Sequence, residues 1–293
     1  MKSALHTVPP SEASSIPAFE LRRPDTLKAP VVFASPHSGT HYPETFVASL
    51  QVPMMDVRRT EDAYVDVLFG DCVDAGALQL RALYGRCYVD LNRDSRELDV
   101  DMFSDGPPRS CGMPSARVRA GLGCLPRIAS TGKDIYRGKL TQAEGRQRLD
   151  IVYDTYHGQL DRELAAMRDA WSFCYIIDCH SMPSHQPGRP SLPDIVLGDR
   201  FGSSCENGLT SRVERAFRAL GYSVSRNAPY AGGHTTRRYG KPRRGAHALQ
   251  IEINRSLYMN EADLTRTSRF EQVQTDINSV INDIVEHVVR QQF

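Results

Sequence analysis

Phe173-Cys174-Tyr175-Ile176-Ile177-Asp178-Cys179-His180-Ser181 is almost wholly apolar up to Ile177, then turns to acid, thiol, imidazole and hydroxyl. A short apolar run of this kind reads as a strand of a parallel sheet covered on both faces. We expect a strand over 173–178 with the polar residues at its carboxyl end. Val31-Val32-Phe33-Ala34 reads the same way and runs into Ser35-Pro36-His37-Ser38-Gly39. Further strands are expected at 87–91, ending in Asn92-Arg93-Asp94, at 195–197, and at 248–253, which holds Glu252.

Helical patterns alternate with these strands. Residues 61–75 carry Tyr64, Val65, Leu68 and Val73 near helical spacing. Residues 141–169 open on Thr141 and Glu144, a capping box, and place Leu149, Val152, Tyr153, Tyr156, Leu160, Leu164 and Met167 on one face. Residues 206–220 and 271–288 are amphipathic too. The stretch 94–135 is rich in Gly, Pro and Ser and reads as a long loop, a common home for function. Strand–helix alternation predicts a single α/β domain with a mostly parallel, mixed sheet flanked by helices. We expect residues 1–20 to be a flexible lead-in and 21–293 to be the domain.

Composition narrows the function classes. Of 293 residues, 40% are hydrophobic and 24% charged, and the net charge is +1. So balanced a charge argues against nucleic acid or an acidic membrane surface as a partner. No apolar run approaches the roughly 20 residues that span a bilayer, and 1–20 lack the apolar core of a signal peptide. Seven cysteines without a CxxC pair point to a reducing, cytoplasmic setting.

In open α/β sheets, ligands bind beyond the carboxyl ends of the strands. Four strand ends here offer His37, Arg93, His180 and Glu252. Two histidines and a carboxylate suit a catalytic zinc, which takes three protein ligands and keeps one position for water. Such an ion acidifies its water and polarises a carbonyl. Glu61 and Asp62 both stand as third ligands; on a helix they would point about 100° apart, so one ion would take only one. Buried Glu252 needs a role or a partner; an ion pair with an arginine would serve as well. Cys179 beside His180 raises a thiol nucleophile, but adjacent strand residues face opposite ways.

The chain resembles the N-formylglutamate amidohydrolase family. The matching segments are Ser35 to Pro43, Glu61 to Asp66, Tyr88 to Asp94, Asp178 to Ser181, Gly232 to Gly240 and Ala248 to Ile253, followed by Tyr258-Met259. Each block is short; six in order are specific. The resemblance implies a fold similar to zinc carboxypeptidases, of the phosphorylase/hydrolase-like type. It implies a cytoplasmic zinc enzyme with one ion per chain, hydrolysing N-formyl-L-glutamate to formate and glutamate in histidine breakdown. By family pattern the ligands are His37, Asp62 and His180, with Asp178 behind the metal; Glu252 is the expected general base. Arg93 is the expected carboxylate anchor, Asn92-Arg93 being similar to the pair with which carboxypeptidases hold a terminal carboxylate; Arg237 is the second anchor. The expected partner is a small N-acyl amino acid. A hydrolase of another N-acyl amino acid or peptide, and a non-catalytic binding protein of the same fold, are the alternatives. Monomer and homo-oligomer both remain open.

Overall fold

The computed structural model describes residues 16–186, 188 and 191–291. Its centre is a seven-stranded sheet: β1 (Phe19–Arg22), β2 (Val31–Ser35), β3 (Leu78–Ala82), β4 (Cys174–Met182), β5 (Ile195–Gly198), β6 (Val224–Arg226) and β7 (Ala246–Asn254). The order across the sheet is β1-β3-β2-β4-β7-β5-β6. β1 runs antiparallel to β3 and β5 antiparallel to β7; the other neighbours are parallel. This is the mixed, mostly parallel α/β sheet expected.

Strand β4 is the spine. All nine of its residues are buried, because β2 and β7 flank it and helices cover both faces. Cys174 and Ile176 pack in one core with the helix Thr155–Trp171. Tyr175, Ile177 and Cys179 pack in the other, with the helices Asn207–Ala219 and Phe270–Arg290. Period-two alternation thus puts Asp178 and His180 on one face and Cys179 on the opposite one. The polar run begun at Asp178 lies inside the strand, not beyond it.

Three expectations need correction. Residues 87–91 form no strand: they are buried coil whose backbone groups find other partners, Asp90 N donating to Cys124 O and Leu91 O lying 2.9 Å from His157 Nε2. The strand in that region is β3, hidden in the sequence by Gln79 and Arg81. Their polar ends are met at a distance, Gln79 Nε2 donating to Asp66 O and Arg81 to Asp66 and Glu20. Residues 61–75 are not one helix. Tyr64 has φ +66, and two short helices, Val65–Leu68 and Cys72–Ala75, replace it. Finally, β1 takes in Phe19 and Glu20, which the expected lead-in included; residues 1–15 lie outside the described residues.

The helix expected over 141–169 forms with its capping box at Thr141 and Glu144. It runs from Gln142 to Trp171 through a π-helical stretch, Leu149–Asp154. Among the described residues, no helix is long and apolar enough to cross a membrane.

Candidate metal centre and active site

The chain brings three donors together from three places. His37 follows β2, His180 lies in β4, and Asp62 precedes the helix Val65–Leu68. Asp62 reaches His37 because the two segments are zipped by their backbones: Asp62 N donates to His37 O at 3.0 Å, and Ser38 Oγ to Asp62 O at 3.2 Å. Gly39 lets the loop close up, since a Cβ there would sit 2.2 Å from Tyr84 O. Donor atoms of His37, Asp62 and His180 all fall within 4.8 Å of one another, and all three residues are buried. Asp62 Oδ2 lies 2.9 Å from His180 Nδ1 and 3.4 Å from His37 Nδ1. Glu61 turns away and accepts from Tyr42 Oη at 3.0 Å. Geometry therefore separates the two carboxylates, though through a turn and not through a helix.

Each imidazole has a carboxylate on its far side, hydrogen-bonded at His37 and in ionic contact at His180. Asp90 Oδ1 is 2.7 Å from His37 Nε2, and Asp178 Oδ1 is 2.9 Å from His180 Nε2. Carboxylates in this position fix the tautomer and free the other ring nitrogen to ligate. His37 Nδ1 is buried without a hydrogen-bond partner, an orphaned lone pair facing Asp62. Two imidazole nitrogens and a carboxylate oxygen are a donor set that fits Zn²⁺.

Asp62 is itself clamped. Arg255 Nη2 donates to Asp62 Oδ1 at 2.8 Å, Arg255 Nε to Ser181 Oγ at 3.1 Å and Arg255 Nη1 to Arg59 O at 3.0 Å. Burial alone would raise the Asp62 carboxyl; the hydrogen bond to His180, the neighbouring His37 and the Arg255 charge outweigh it and hold it well below the usual range. The same competition lowers Asp90, where His37, Arg86 and Arg93 outweigh burial. His180 is pushed well above its ordinary value, because Asp178 and Asp62 overcome desolvation.

Glu252 lies beside His180. The two are register partners on β4 and β7, as are Asp178 and Gln250. Gln250 Nε2 donates to Glu252 Oε1 at 2.7 Å. Burial pushes the Glu252 carboxyl up to about 7. These groups open into a cavity of about 730 Å³ lined also by Arg86, Arg93, Arg117, Tyr230 and Arg255.

The two expected anchors differ in place. Arg93 lines the cavity, its guanidinium steadied by Leu122 O and Asn92 O. Arg237 is exposed and lines an adjoining hollow of about 290 Å³ instead. Asn92, expected to bind substrate, spends its amide on the protein. Its Oδ1 accepts from Thr235 N at 2.8 Å, and its Nδ2 lies 3.0 Å from His180 Nε2 and 3.3 Å from Asp178 Oδ2. Gly233 makes room for it: a Cβ there would meet Asn92 Nδ2 at 2.4 Å.

Sequence reasoning missed Arg86, Asp90, Arg117 and Arg255. Asp90 was findable, since a carboxylate between Val89 and Leu91 needs a partner just as Glu252 does. Arg255 was signalled only by its place after β7. Arg86 and Arg117 carry no signal among so many arginines.

Comparisons with known proteins place the chain in a family. Residues 29–259 match the family described as N-formylglutamate amidohydrolase. The chain is 34% identical over 256 residues to N-formylglutamate deformylase of Pseudomonas aeruginosa, spanning 83% of this chain and 89% of that protein. A Pseudomonas putida protein of the same name is 31% identical over 241 residues, covering 80% and 84%. The crystal structure of N-formylglutamate amidohydrolase from Ralstonia eutropha JMP134 superposes with a TM-score of 0.89 at 35% identity, covering 94% of this chain and all of that one. With six motif segments in order and this extent of match, the chain belongs to the N-formylglutamate amidohydrolase family.

Proposed function

We propose that this chain hydrolyses N-formyl-L-glutamate to formate and L-glutamate with one zinc ion held by His37, Asp62 and His180. The observation that carries the reading is the buried His37–Asp62–His180 cluster opening, beside Glu252, into an arginine-lined cavity. The names of the relatives supply the substrate. When bound, the ion supplies a Lewis acid for the formyl carbonyl and lowers the pKa of water.

The chain's own residues do the rest. Glu252 accepts the proton of the attacking water and returns it to the departing amine nitrogen, so one water and one formamide bond become formate and a free amine. A carboxyl near 7 serves both steps at neutral pH. Asp90 and Asp178 hold the imidazoles in orientation, and Arg255 does so for Asp62. Arg93 pairs with a substrate carboxylate, which suits a planar guanidinium. Arg86, donating to Asp90 Oδ2 at 2.8 Å, adds positive charge where an oxyanion develops.

The reaction is a late step of histidine breakdown. Among the described residues all seven cysteines are free thiols, which supports the cytoplasmic setting. Formate release from N-formylglutamate should be abolished by a chelator and restored by zinc. No release from the zinc-loaded protein overturns the substrate assignment.

A further inference from the structure

The catalytic cavity does not end at Arg93. Asn92, Arg93, Arg117, Gly232 and Gly233 line both it and the adjoining hollow of about 290 Å³, so the two share a wall. Four guanidiniums border that hollow: Arg93, Arg117, Arg200 and Arg237. Glu97 is the one carboxylate among its lining residues. Such a concentration of like charge costs free energy unless an anion relieves it.

The arginines are not there by default. Arg117 pairs with no carboxylate among the described residues, and the Arg93 charge depresses its pKa, so the two cations feel each other. Arg200 sits at φ +52, a conformation ordinary side chains avoid. Its turn is pinned by Asn227, whose Oδ1 accepts from Asp199 N at 3.1 Å and Phe201 N at 3.2 Å and whose Nδ2 donates to Asp199 Oδ1 at 2.8 Å. The side chain lies over Gly232, where a Cβ would come within 3.1 Å of Arg200 Cγ. The chain therefore holds a cation in a strained turn over a glycine floor.

We propose that this hollow is the subsite for the side-chain carboxylate of an N-acylated dicarboxylic amino acid, and that Arg117 and Arg200 set the preference for it. The inference rests on the N-formylglutamate reading and deepens it. The acyl group lies at the His37–Asp62–His180 end, Arg93 stands at the shared wall, and the distal carboxylate passes between Arg93 and Arg117 into the hollow. A neutral amide at that end leaves the guanidiniums unrelieved, so the site discriminates by charge more than by size.

The test compares N-formylglutamate with its neutral isostere N-formylglutamine in the zinc-loaded wild type, Arg117→Gln and Arg200→Gln. The wild type should prefer the glutamate, and each variant should lower the ratio of kcat/KM values about tenfold or more, chiefly through KM. An unchanged ratio in both variants overturns the proposal, as does an equal loss on both substrates. Binding of glutarate by calorimetry separates this outcome from failure of the parent reading, because it needs no turnover. Glutarate should bind the wild type and bind each variant about tenfold or more weakly. Failure to bind the wild type, or equal binding to all three proteins, overturns the subsite even where formate is released; a protein that binds glutarate selectively but releases no formate keeps the subsite and loses the reaction.

Discussion

His180 on β4 and Glu252 on β7 are register partners on adjacent parallel strands, facing the same cavity. Parallel pairing in the middle of a sheet holds such neighbours about 5 Å apart. The proposed metal donor and proton acceptor are thereby set side by side by backbone hydrogen bonds and not by loops.

Glu252→Gln keeps the shape and the Gln250 contact but cannot take a proton. Turnover should fall about 10²–10⁴-fold, with zinc content unchanged by elemental analysis. In the wild type, kcat/KM should fall as pH drops through a limb at or below about 7, since the carboxyl must be ionised and a bound cation can only draw its pKa down. A variant that retains full turnover refutes the assignment.

Asp90→Asn weakens the hold on His37 Nε2 while keeping the volume. Carboxylates behind metal-bound histidines are worth about 10–100-fold in affinity. Chelator competition should show a zinc Kd raised by that factor. An unaltered Kd would mean that Asp90 serves only Arg86.

Arg255→Met leaves Asp62 Oδ1, Ser181 Oγ and Arg59 O without their donor in a buried place. Breaking a buried pair from one side costs about 3–5 kcal/mol. Urea denaturation of the chelated protein should show a loss of that size. A change under about 1 kcal/mol would deny the clamp its structural role.

His157 should make the protein sensitive to acid. It is buried between Leu91 O and Tyr239 Oη, and desolvation lowers its pKa to about 3. The folded state thus refuses a proton that the unfolded chain accepts below about 6.5. Stability from this group is complete above that pH and is lost as pH falls from 6.5 towards 3, at about 1.4 kcal/mol per unit. His157→Gln should flatten this slope between pH 6.5 and 4. An identical slope in both proteins would place the acid sensitivity elsewhere.

The sheet was readable wherever a strand is buried on both faces, because burial writes itself as an apolar run. That holds for β2, β4, β5 and β7. It fails for β1, β3 and β6, whose polar residues are matched by partners in other segments, Arg81 with Glu20 and Asp66 and Arg226 with Glu214 among them. It failed in the other direction at 87–91, where an apolar run is buried without pairing. The site was legible for the same reason: His37, His180 and Glu252 stand out against apolar strands. Asp62 and Glu61 were equal on spacing, and only the family pattern preferred Asp62; in the fold the backbone bond from Asp62 N to His37 O sets Asp62 beside His37 while Glu61 turns to Tyr42. Asn92 shows the limit, because nothing in a sequence tells whether an amide faces a ligand or its own protein.

The central strands β4 and β7 hold His180 and Glu252, whereas the arginines around the cavity stand on coil, turns and short helices at the rim. Every residue of β4 is buried, so a change there disturbs two cores at once. Arg93, Arg117 and Arg200 carry no such burden. Mutation can therefore redraw which acyl amino acid is accepted without touching how the bond is broken. The architecture makes the specificity of this enzyme evolvable and its chemistry conservative.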